Sequence, residues 1–443
     1  MTSVDQWLHS APAHWTRGRL KDLISTATNG TWGSDPVSDG NDVRCVRAAD
    51  FDRVGRRANL STAPLRSVEP SALHQHLLRP GDLILEKSGG GEKQPVGMAV
   101  LFTDSIKAVC SNFCARVKPS VDIDSRFLTY VFAAAYGQGL SQAATKQTTG
   151  IQNLDTGVFF ASRWAFPAKE EQRRIAEFLD AEIAHIDRLT SASRKQSSLL
   201  DERLTEHFRM LTTSGGQPST GRTGVSWMPT MAPHWELCKI GRSFKTSSGT
   251  TPRSGDSACF DGNHFWVNTG DLRDGTVDRP KRTVTDIALS QYPTLKIYGP
   301  GSLVVAMYGA TTGRVGILGV PACVNQACCV LSDLGPVDPQ YAFYWFRAHR
   351  REILRLASGG GQPNISQDLV RSLHIPAPPR MEQADIVARA AQRERQTVSE
   401  RSLLTHRNNL LSERRQALIT AAVTGQFDVT TASGRNVTEG VSV

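Results

Sequence analysis

The chain contains two copies of one sequence pattern, and this internal repeat limits the folds that it can adopt. The matches keep the same order, and the separation between partners shifts only by short insertions or deletions. Such a tandem duplication predicts two related units, which are too few for a solenoid. The recurring pairs are Trp7 and Trp227, His14-Trp15 and His234-Trp235, Asp50 and Asp271, Pro80-Gly81 and Pro300-Gly301, Cys110 and Cys323, Asn153-Leu154 and Asn364-Ile365, and Glu171-Gln172 and Glu382-Gln383.

The residues that recur are those that build turns and cores. A duplicated enzyme domain would also repeat, but it would repeat its catalytic polar residues with the framework. The charged residues after the first Pro-Gly pair have no counterparts, because Asp82, Glu86 and Lys87 stand opposite Ser302, Ala306 and Met307. The pattern therefore favours a duplicated scaffold, with a duplicated stand-alone DNA methylase or nuclease as the alternative.

Each copy begins with an arm, a globular segment of short apolar runs broken by Gly, Pro, Asn and Asp. Runs at residues 82–85, 301–305 and 315–318 are typical of strands, and residues 126–135 are typical of a short helix. The sequence therefore predicts α+β arms.

Each arm is followed by a long segment with the pattern of an amphipathic helix. No Gly or Pro occurs between Lys169 and Gly215, and the acidic Glu170-Glu171 pair suits a helix N-terminus. Two apolar stripes predict a coiled coil of two helices, each roughly 60 Å long, with a solvated single helix as the alternative. The polar segment 190–198 predicts a frayed or exposed stretch in the first helix. The predicted seam residues are Ile175, Leu179, Ile186, Leu200, Leu204, Leu404, Leu411 and Leu418.

Composition sets limits on the class of protein. Lys and Arg exceed Asp and Glu by 51 to 42, a net charge of +9 that is compatible with nucleic-acid binding. The eight cysteines lack zinc-ligand or disulfide-framework spacing, so we expect buried thiols and no metal site. No N-terminal signal pattern and no long apolar run is found, so we expect a cytoplasmic protein without membrane contact.

Three motifs connect the chain to a known family. Phe166–Leu179 (FPAKEEQRRIAEFL), its echo Ile375–Gln383 (IPAPPRMEQ) and the later segment Arg415–Asp428 (RQALITAAVTGQFD) resemble the specificity subunits of type I restriction-modification systems. The PHW at 233–235 and the GQPNIS at 361–366 are similar to the arm framework of the same family. The resemblance extends from Trp7 to about Val429.

The resemblance implies two α/β target recognition domains separated by two long helices that form an antiparallel coiled coil. It assigns residues 1–166 to the first domain, 167–213 to the central helix, 214–224 to a linker, 225–376 to the second domain, 377–425 to the C-terminal helix and 426–443 to a tail that ends in disorder. Each domain would read one half of a split, asymmetric site in double-stranded DNA.

The resemblance also implies partners that do the chemistry. Two methyltransferase (M) subunits would use S-adenosylmethionine, and two motor-nuclease (R) subunits would use ATP and Mg²⁺. This chain would itself be non-catalytic and hold no cofactor. The residues agree, since no Asn/Asp-Pro-Pro-aromatic tetrapeptide occurs and the Gly309–Gly313 segment lacks the spacing and Lys-Ser/Thr of a phosphate loop.

Two Gly-rich loops hold most of the predicted DNA contacts. Residues 88–95 and 308–314 follow equivalent strands but differ in their polar side chains, as expected for readers of different half-sites. Ordinary hairpin turns with solvated side chains remain the alternative for any single residue. Arg314 is the best candidate for reading guanine. The predicted contacts are Lys87, Lys93, Gln94, Arg253, Tyr308, Thr311, Thr312, Arg314 and Gln362.

Overall fold

The computed structural model describes residues 10–38, 42–91, 94–148, 151–333, 335–357 and 364–429. Two helices are far longer than the others, and both lie where the apolar stripes predicted them. The α-helices are α1 (Pro70–His76), α2 (Ser125–Gly137), α3 (Leu140–Ala143), α4 (Thr156–Ala161), α5 (Lys169–Ser214), α6 (Ile240–Ser243), α7 (Asp286–Gln291), α8 (Pro339–Ala348), α9 (Arg350–Leu356), α10 (Gln367–Ser372) and α11 (Arg380–Val423).

The chain divides into two units, each of which contains one arm and parts of both long helices. The first unit comprises Met1–Ala192 and His406–Val443, and the second comprises Ser193–Thr405. The strands of the first unit are β1 (Thr16–Arg19), β2 (Ile24–Asn29), β3 (Val43–Val46), β4 (Phe51–Asp52), β5 (Arg57–Ala58), β6 (Leu65–Arg66), β7 (Leu83–Glu86), β8 (Ser88–Gly89), β9 (Ala99–Leu101), β10 (Ala108–Cys110), β11 (Cys114–Pro119), β12 (Thr145–Thr148), β13 (Ile151–Leu154) and β14 (Arg163–Phe166).

The first arm is built on a six-stranded sheet in the order β2-β11-β7-β9-β5-β4, with smaller sheets β10-β3-β6, β12-β13-β8 and β1-β14. All four residues of β7 are buried. Leu83 and Leu85 pack into the core that includes helix α2, whereas Ile84 packs into a second core on the other face. A strand covered on both faces needs an unbroken apolar run, which explains why this segment does not alternate.

The second arm has the same arrangement around a five-stranded sheet in the order β18-β25-β22-β23-β20, with smaller sheets β21-β19-β24, β17-β26 and β15-β16. Its central strand is again buried on both faces, with Leu303 and Val305 in one core and Val304 in another. The strands are β15 (Gly221–Val225), β16 (Met228–Met231), β17 (Glu236–Lys239), β18 (Phe244–Ser248), β19 (Phe260–Val267), β20 (Gly275–Val277), β21 (Arg282–Val284), β22 (Leu303–Ala306), β23 (Val315–Leu318), β24 (Ala322–Val324), β25 (Cys328–Asp333) and β26 (His374–Ala377).

The two long helices run antiparallel within each unit. In the first unit Arg415 Nη1 lies 2.9 Å from Asp187 Oδ1. In the second unit Arg401 Nη1 lies 3.1 Å from Asp201 Oδ1, and Arg389 donates to the carbonyl of Gly215. As the residue number rises along α5, the number of its partner in α11 falls, which is the pattern of antiparallel helices. This arrangement agrees with the predicted coiled coil.

The predicted seam residues are mostly buried. Ile175, Leu179, Ile186, Leu200, Leu404 and Leu418 are buried, and Leu204 and Leu411 are half-buried. Of each consecutive leucine pair in α11, the first member faces solvent, since Leu403 and Leu410 are exposed. The predicted seam contained the second member of each pair, Leu404 and Leu411.

The polar segment 190–198 does not interrupt the first long helix. Helix α5 is continuous from Lys169 to Ser214, and Ser193 is fully buried. The expectation of fraying was therefore wrong, but most of the segment is exposed as expected, and Ser193 is its one buried residue. A helix satisfies its interior backbone groups internally, and a small hydroxyl side chain is buried more easily than a long charged one.

Candidate nucleic-acid interface

A repeated turn delivers the chain into the buried central strand of each arm. In the first arm the N–H of Asp82 donates to the carbonyl of Arg79 at 2.9 Å across Pro80-Gly81, and Gly81 has a φ of 98°. This is a type II turn, which favours Pro and then a residue with positive φ. Gly301, with a φ of 85°, occupies the same position in the second arm. The recurring Pro-Gly pair therefore positions the strands that carry the two Gly-rich loops.

The first loop, residues 87–97, closes as a hairpin at the end of strand β7. The N–H of Glu86 donates to the carbonyl of Met98 at 2.8 Å, and the N–H of Gly97 donates back to Glu86 at 3.0 Å. The N–H of Leu154 donates to the carbonyl of Lys87 at 2.7 Å. The recurring Asn-Leu motif thus supports the base of the loop.

The second loop, residues 307–313, is closed by equivalent bonds at the end of strand β22. Ala306 donates to the carbonyl of Arg314 and accepts from the N–H of Gly313, both at 2.8 Å. The N–H of Ile365 donates to the carbonyl of Met307 at 2.7 Å, as Leu154 does in the first arm. The two loops therefore share one backbone support but carry different side chains.

Two polar side chains of the first loop are held by neighbours. Lys87 Nζ lies 2.7 Å from Asn29 Oδ1, and Ser88 Oγ donates to Asn153 Oδ1 at 2.7 Å. Gln94 is exposed and lies beside the guanidinium of Arg53, from which its amide oxygen accepts a hydrogen bond in the orientation that satisfies both groups. Lys93 lies outside the described residues.

The predicted contacts of the second loop occupy different environments. Arg314 is exposed, Thr311 is half-buried and Tyr308 lies at the surface, whereas Thr312 is only 7% exposed. The hydroxyl of Thr312 donates to the carbonyl of Gly309 at 2.7 Å, so this side chain stabilises the turn and is poorly placed to meet DNA. Arg253 is exposed in the same arm. Gln362 lies outside the described residues.

A cleft beside the first loop contains residues that the sequence reasoning missed. Its volume is about 500 Å³, and it is lined by Trp32, Arg47, Gly89, Gly90 and Phe113 among others. Phe113 is exposed, and the guanidinium of Arg66 stacks 4.6 Å from the centroid of Trp32. Phe113 is exposed and Trp32 is half-buried beside a guanidinium, so both aromatic side chains line a surface on which nucleobases can stack. The only sequence signal was that these residues lie in segments predicted to be loops.

The acidic residues of the first arm that have no counterpart in the second, Asp82 and Glu86, have structural partners. Asp82 Oδ2 accepts from Arg116 Nε at 2.7 Å, and Glu86 Oε2 accepts from Arg53 Nη2 at 3.1 Å. Burial raises the pKa of Glu86, and the nearby Arg53 charge opposes that rise. Both carboxylates therefore join the loop and the central strand to the arm's core.

The cysteines are free thiols, and seven of the eight are buried. Burial raises the pKa of Cys45 to about 11 and that of Cys114 to about 12, so both thiols are protonated at neutral pH. Among the described residues, no three His, Cys, Asp or Glu side chains come together as metal ligands.

The most complete repeat in the structure is the joint between each arm and its long helix. Trp15 Nε1 donates to Glu171 at 3.0 Å, and Trp235 Nε1 donates to Glu382 at 2.8 Å. The preceding histidines, His14 and His234, contact the same carboxylates at 3.0 Å and 3.2 Å. Shared residues therefore orient the arms on their helices, as expected for residues that build the common framework.

The neighbouring glutamines complete these joints. Gln172 Oε1 accepts the N–H of Asp124 at 2.9 Å, and Gln383 Oε1 accepts the N–H of Asp338 at 2.7 Å. Each of these aspartates in turn caps the first turn of an arm helix, α2 or α8. The Glu-Gln pair therefore fixes an arm helix to the first turn of a long helix.

Comparison with known proteins identifies the class. Residues 233–402 match the model of the type I restriction modification DNA specificity domain. The specificity subunit of the type I restriction enzyme MjaVIII from Methanocaldococcus jannaschii is 24% identical over 264 residues, which cover 54% of this chain and 57% of that protein. The matched part thus spans little more than half of the relative.

Two solved structures share the fold. One chain, from a structural study of complex assembly and conformational transition of the type I R-M system, is 16% identical with a TM-score of 0.73, covering 94% of this chain and 99% of that one. The HsdS subunit from Thermoanaerobacter tengcongensis is 15% identical with a TM-score of 0.53, covering 94% of this chain and 98% of that one.

The fold and the matched domain define a protein of two arms and paired helices that carries a DNA specificity domain. Residues 233–402 therefore match a type I restriction modification DNA specificity domain, and the chain is similar to the specificity subunit of a type I restriction enzyme. None of the helices in the described part of the chain is both long and apolar enough to cross a bilayer.

Proposed function

We propose that this chain reads a bipartite, asymmetric target in double-stranded DNA, with one arm for each half-site. The observation that carries the proposal is the pair of Gly-rich loops. They leave equivalent strands and are closed by equivalent hydrogen bonds, yet they present different side chains. Two domains that recognise different DNA sequences can share a backbone scaffold but need different loop side chains. The reason is that base edges are distinguished by the hydrogen-bond donors and acceptors that reach them.

In the second arm, Arg314 is the principal candidate for base readout. Its side chain is exposed at the end of loop 307–313, while its backbone is held in the strand ladder. An arginine on a rigid support offers two donors to the O6 and N7 atoms of guanine in the major groove. Arg253, Thr311 and Tyr308 would add contacts to bases or phosphates from the same face.

In the first arm, readout would depend more on aromatic and apolar contact. The cleft beside loop 87–97 presents Trp32 and Phe113, with Arg47 and Lys87 nearby. Aromatic side chains stack on bases or contact thymine methyl groups, and the basic residues would contact phosphates. The two half-sites would therefore be read by different chemistry.

The reactions themselves would belong to partner subunits. Two methyltransferase subunits would bind the paired helices and transfer a methyl group from S-adenosylmethionine to an adenine in each half-site. Two motor-nuclease subunits, which use ATP and Mg²⁺, would join for cleavage. This chain would supply the sequence specificity, without a cofactor or a catalytic group of its own.

The test is to map methylated adenines in cells that express the chain with the methyltransferase of its own system. The parent should show two defined half-sites separated by an unread gap. Arg314→Ala should relax one base position in one half-site, by about 1–3 kcal/mol of discrimination, and leave the other half unchanged. Phe113→Ala should affect only the other half-site.

Arg222→Ala is the matched control, because Arg222 is exposed on the β15-β16 hairpin, which belongs to a separate sheet. This variant should keep the parental methylation pattern. Relaxation of both half-sites by Arg314→Ala would contradict independent reading by the two arms. An unchanged pattern in both loop variants would contradict the assignment of the loops as readers.

A further inference from the structure

A polar cleft of about 410 Å³ lies in the first unit, where the arm meets the two long helices. Its walls come from the turn between β4 and β5, from α2, and from the parts of α5 and α11 that belong to this unit. The charged residues that line it are Asp52, Arg56, Arg57, Arg126, Asp180, Asp187 and Arg415.

The carboxylates of this cleft already have partners. Asp180 accepts from the hydroxyl of Tyr130 at 2.6 Å and from Arg126 at 3.2 Å. Asp187 accepts from Arg415 at 2.9 Å. Asp52 accepts backbone N–H groups of its own turn, at 2.9 Å from Gly55 and 3.1 Å from Val54. Among the described residues of the cleft, no carboxylate is therefore hydrogen-bonded to Arg56 or Arg57, although the charge of Asp187 still favours the charged form of Arg56.

Arg56 is held in this cleft without a hydrogen-bond acceptor. Its Nε is buried and has no partner among the described residues. Its guanidinium lies 5.9 Å from the centroid of Tyr130. The backbone of Arg56 has a φ of 52°, a conformation that residues other than Gly, Asn and Asp rarely adopt. The carbonyl of Arg56 accepts a hydrogen bond from the N–H of Leu101 at 2.9 Å. The fold thus places a cation here against the local backbone preference.

A second guanidinium faces the same space. The Nε of Arg415 is also buried without a partner among the described residues, while its two Nη atoms bond to Asp187 and to the carbonyl of Val54. Burial and the nearby charge of Arg415 lower the pKa of Arg56 to about 10, which still leaves Arg56 charged at neutral pH. Asp187 offsets part of this charge, but the cleft still contains four arginines and three carboxylates, and a bound anion would balance the excess.

The corresponding cleft of the second unit is arranged differently. It also contains four arginines and three carboxylates, but each carboxylate is paired with an arginine side chain. The pairs are Arg401 with Asp201, Arg350 with Asp274 and Arg347 with Glu394. The remaining arginine, Arg273, is exposed and pays no desolvation penalty. Nη1 of Arg347 in this second cleft is likewise buried without a partner among the described residues, so the two clefts differ in how their carboxylates are paired: Asp52 of the first cleft bonds to its own turn, whereas each carboxylate of the second bonds to an arginine.

We propose that the cleft of the first unit binds a phosphate-type oxyanion between Arg56 and Arg415, with Arg57 at its rim. A guanidinium offers forked donors that match the oxygens of a phosphate, and the Arg56 side chain lines the cleft with no acceptor for its guanidinium among the described residues. The anion is either free phosphate or a phosphate of a polynucleotide backbone. The proposal does not depend on the proposed function.

The test begins with inorganic phosphate added to the purified full-length chain at constant ionic strength. Thermal unfolding should show a saturable rise in the midpoint of the first unit, since a ligand that binds only the folded state stabilises it. Arg56→Gln should weaken phosphate binding at least about tenfold. The control Arg222→Gln, on an exposed arginine, should bind as the parent does. A non-saturable response, or equal binding by Arg56→Gln, would overturn the proposal.

A second measurement covers the case in which Arg56→Gln does not fold. Phenylglyoxal modifies accessible arginines, and phosphate should slow modification of the peptide that contains Arg56 and Arg57 but not of the peptide that contains Arg222. Equal modification rates with and without phosphate would refute the site.

Duplex DNA then distinguishes the two sources of the anion. If the site takes a backbone phosphate, inorganic phosphate competes with DNA, and Arg56→Gln lowers the salt dependence of DNA binding by about one unit of slope. If the site takes free phosphate, DNA affinity is the same in the parent and the variant. Both results support an oxyanion site.

Discussion

The joint between the second arm and helix α11 should depend on Gln383. This side chain is buried, and it donates to the carbonyls of Pro336 and Pro378 and accepts the N–H of Asp338, each at 2.7 Å. Gln383→Leu keeps the approximate volume but removes all three hydrogen bonds. Three backbone groups would then be left without partners in a dry interior.

The size of the effect follows from those three groups. Each unsatisfied buried backbone group costs about 1–3 kcal/mol, and relaxation or water entry would recover part of that. We expect the free energy of unfolding of the second unit to fall by roughly 3–5 kcal/mol. For a unit of this size, about 2–4 °C of melting temperature corresponds to 1 kcal/mol, so the midpoint should fall by roughly 6–20 °C.

The assay is thermal unfolding combined with hydrogen exchange, which reports each unit separately. Gln383→Leu should lower amide protection in residues 193–405 before it affects the rest, and Gln172→Leu should do the reverse. Gln396→Leu is the control, because Gln396 is exposed on the same helix and should change stability by less than about 0.5 kcal/mol. A loss below about 1 kcal/mol for Gln383→Leu would refute the reasoning about the joint.

Two further predictions concern the helices and pH. Leu404 is 8% exposed and Leu403 is 67% exposed, so Leu404→Asp should destabilise the protein by several kcal/mol in denaturant unfolding while Leu403→Asp changes it by less than about 0.5 kcal/mol; equal effects would place the seam elsewhere. His349 packs among aromatic rings, where burial, and then the charge of Arg209, lower its pKa to about 3. The contribution of neutral His349 to stability is therefore complete above pH 6.5 and is lost as the pH falls towards 3. The free energy of unfolding of the second unit should fall by about 2 kcal/mol between pH 7 and pH 5. His349→Phe should remove that part of the pH dependence. An identical pH profile in this variant would contradict a buried neutral His349.

Much of the fold was predictable because its signals are local. The Pro-Gly pairs predict turns, unbroken apolar runs predict strands buried on both faces, and stripes with helical spacing predict the long helices. The similarity between the two arms could be recognised from the sequence because the same residue types recur in the same order in both. The predicted run at residues 315–318 coincides with strand β23, for example.

The environment of individual polar residues was not predictable in this way. Thr311 and Thr312 are adjacent and chemically identical, yet Thr312 is buried with its hydroxyl bonded to the turn. Leu403 and Leu404 also differ in burial, because a helix with 3.6 residues per turn brings only one of two neighbours to the seam, but here the helical spacing had already selected Leu404. Periodicity predicts which face of a helix or strand a residue lies on, but packing against other segments decides which side chains on that face are buried.

The sequence alone determined the duplication, the class of the arms, the two long helices and the family resemblance, because each depends on order and spacing along the chain. Only the tertiary structure decided which distant residues meet. Trp32 and Phe113 line one cleft, and Arg56 faces Arg415 in another. The physical reason is that such sites arise when strands and helices from separate segments pack together, and no local spacing encodes the contacts that this packing creates.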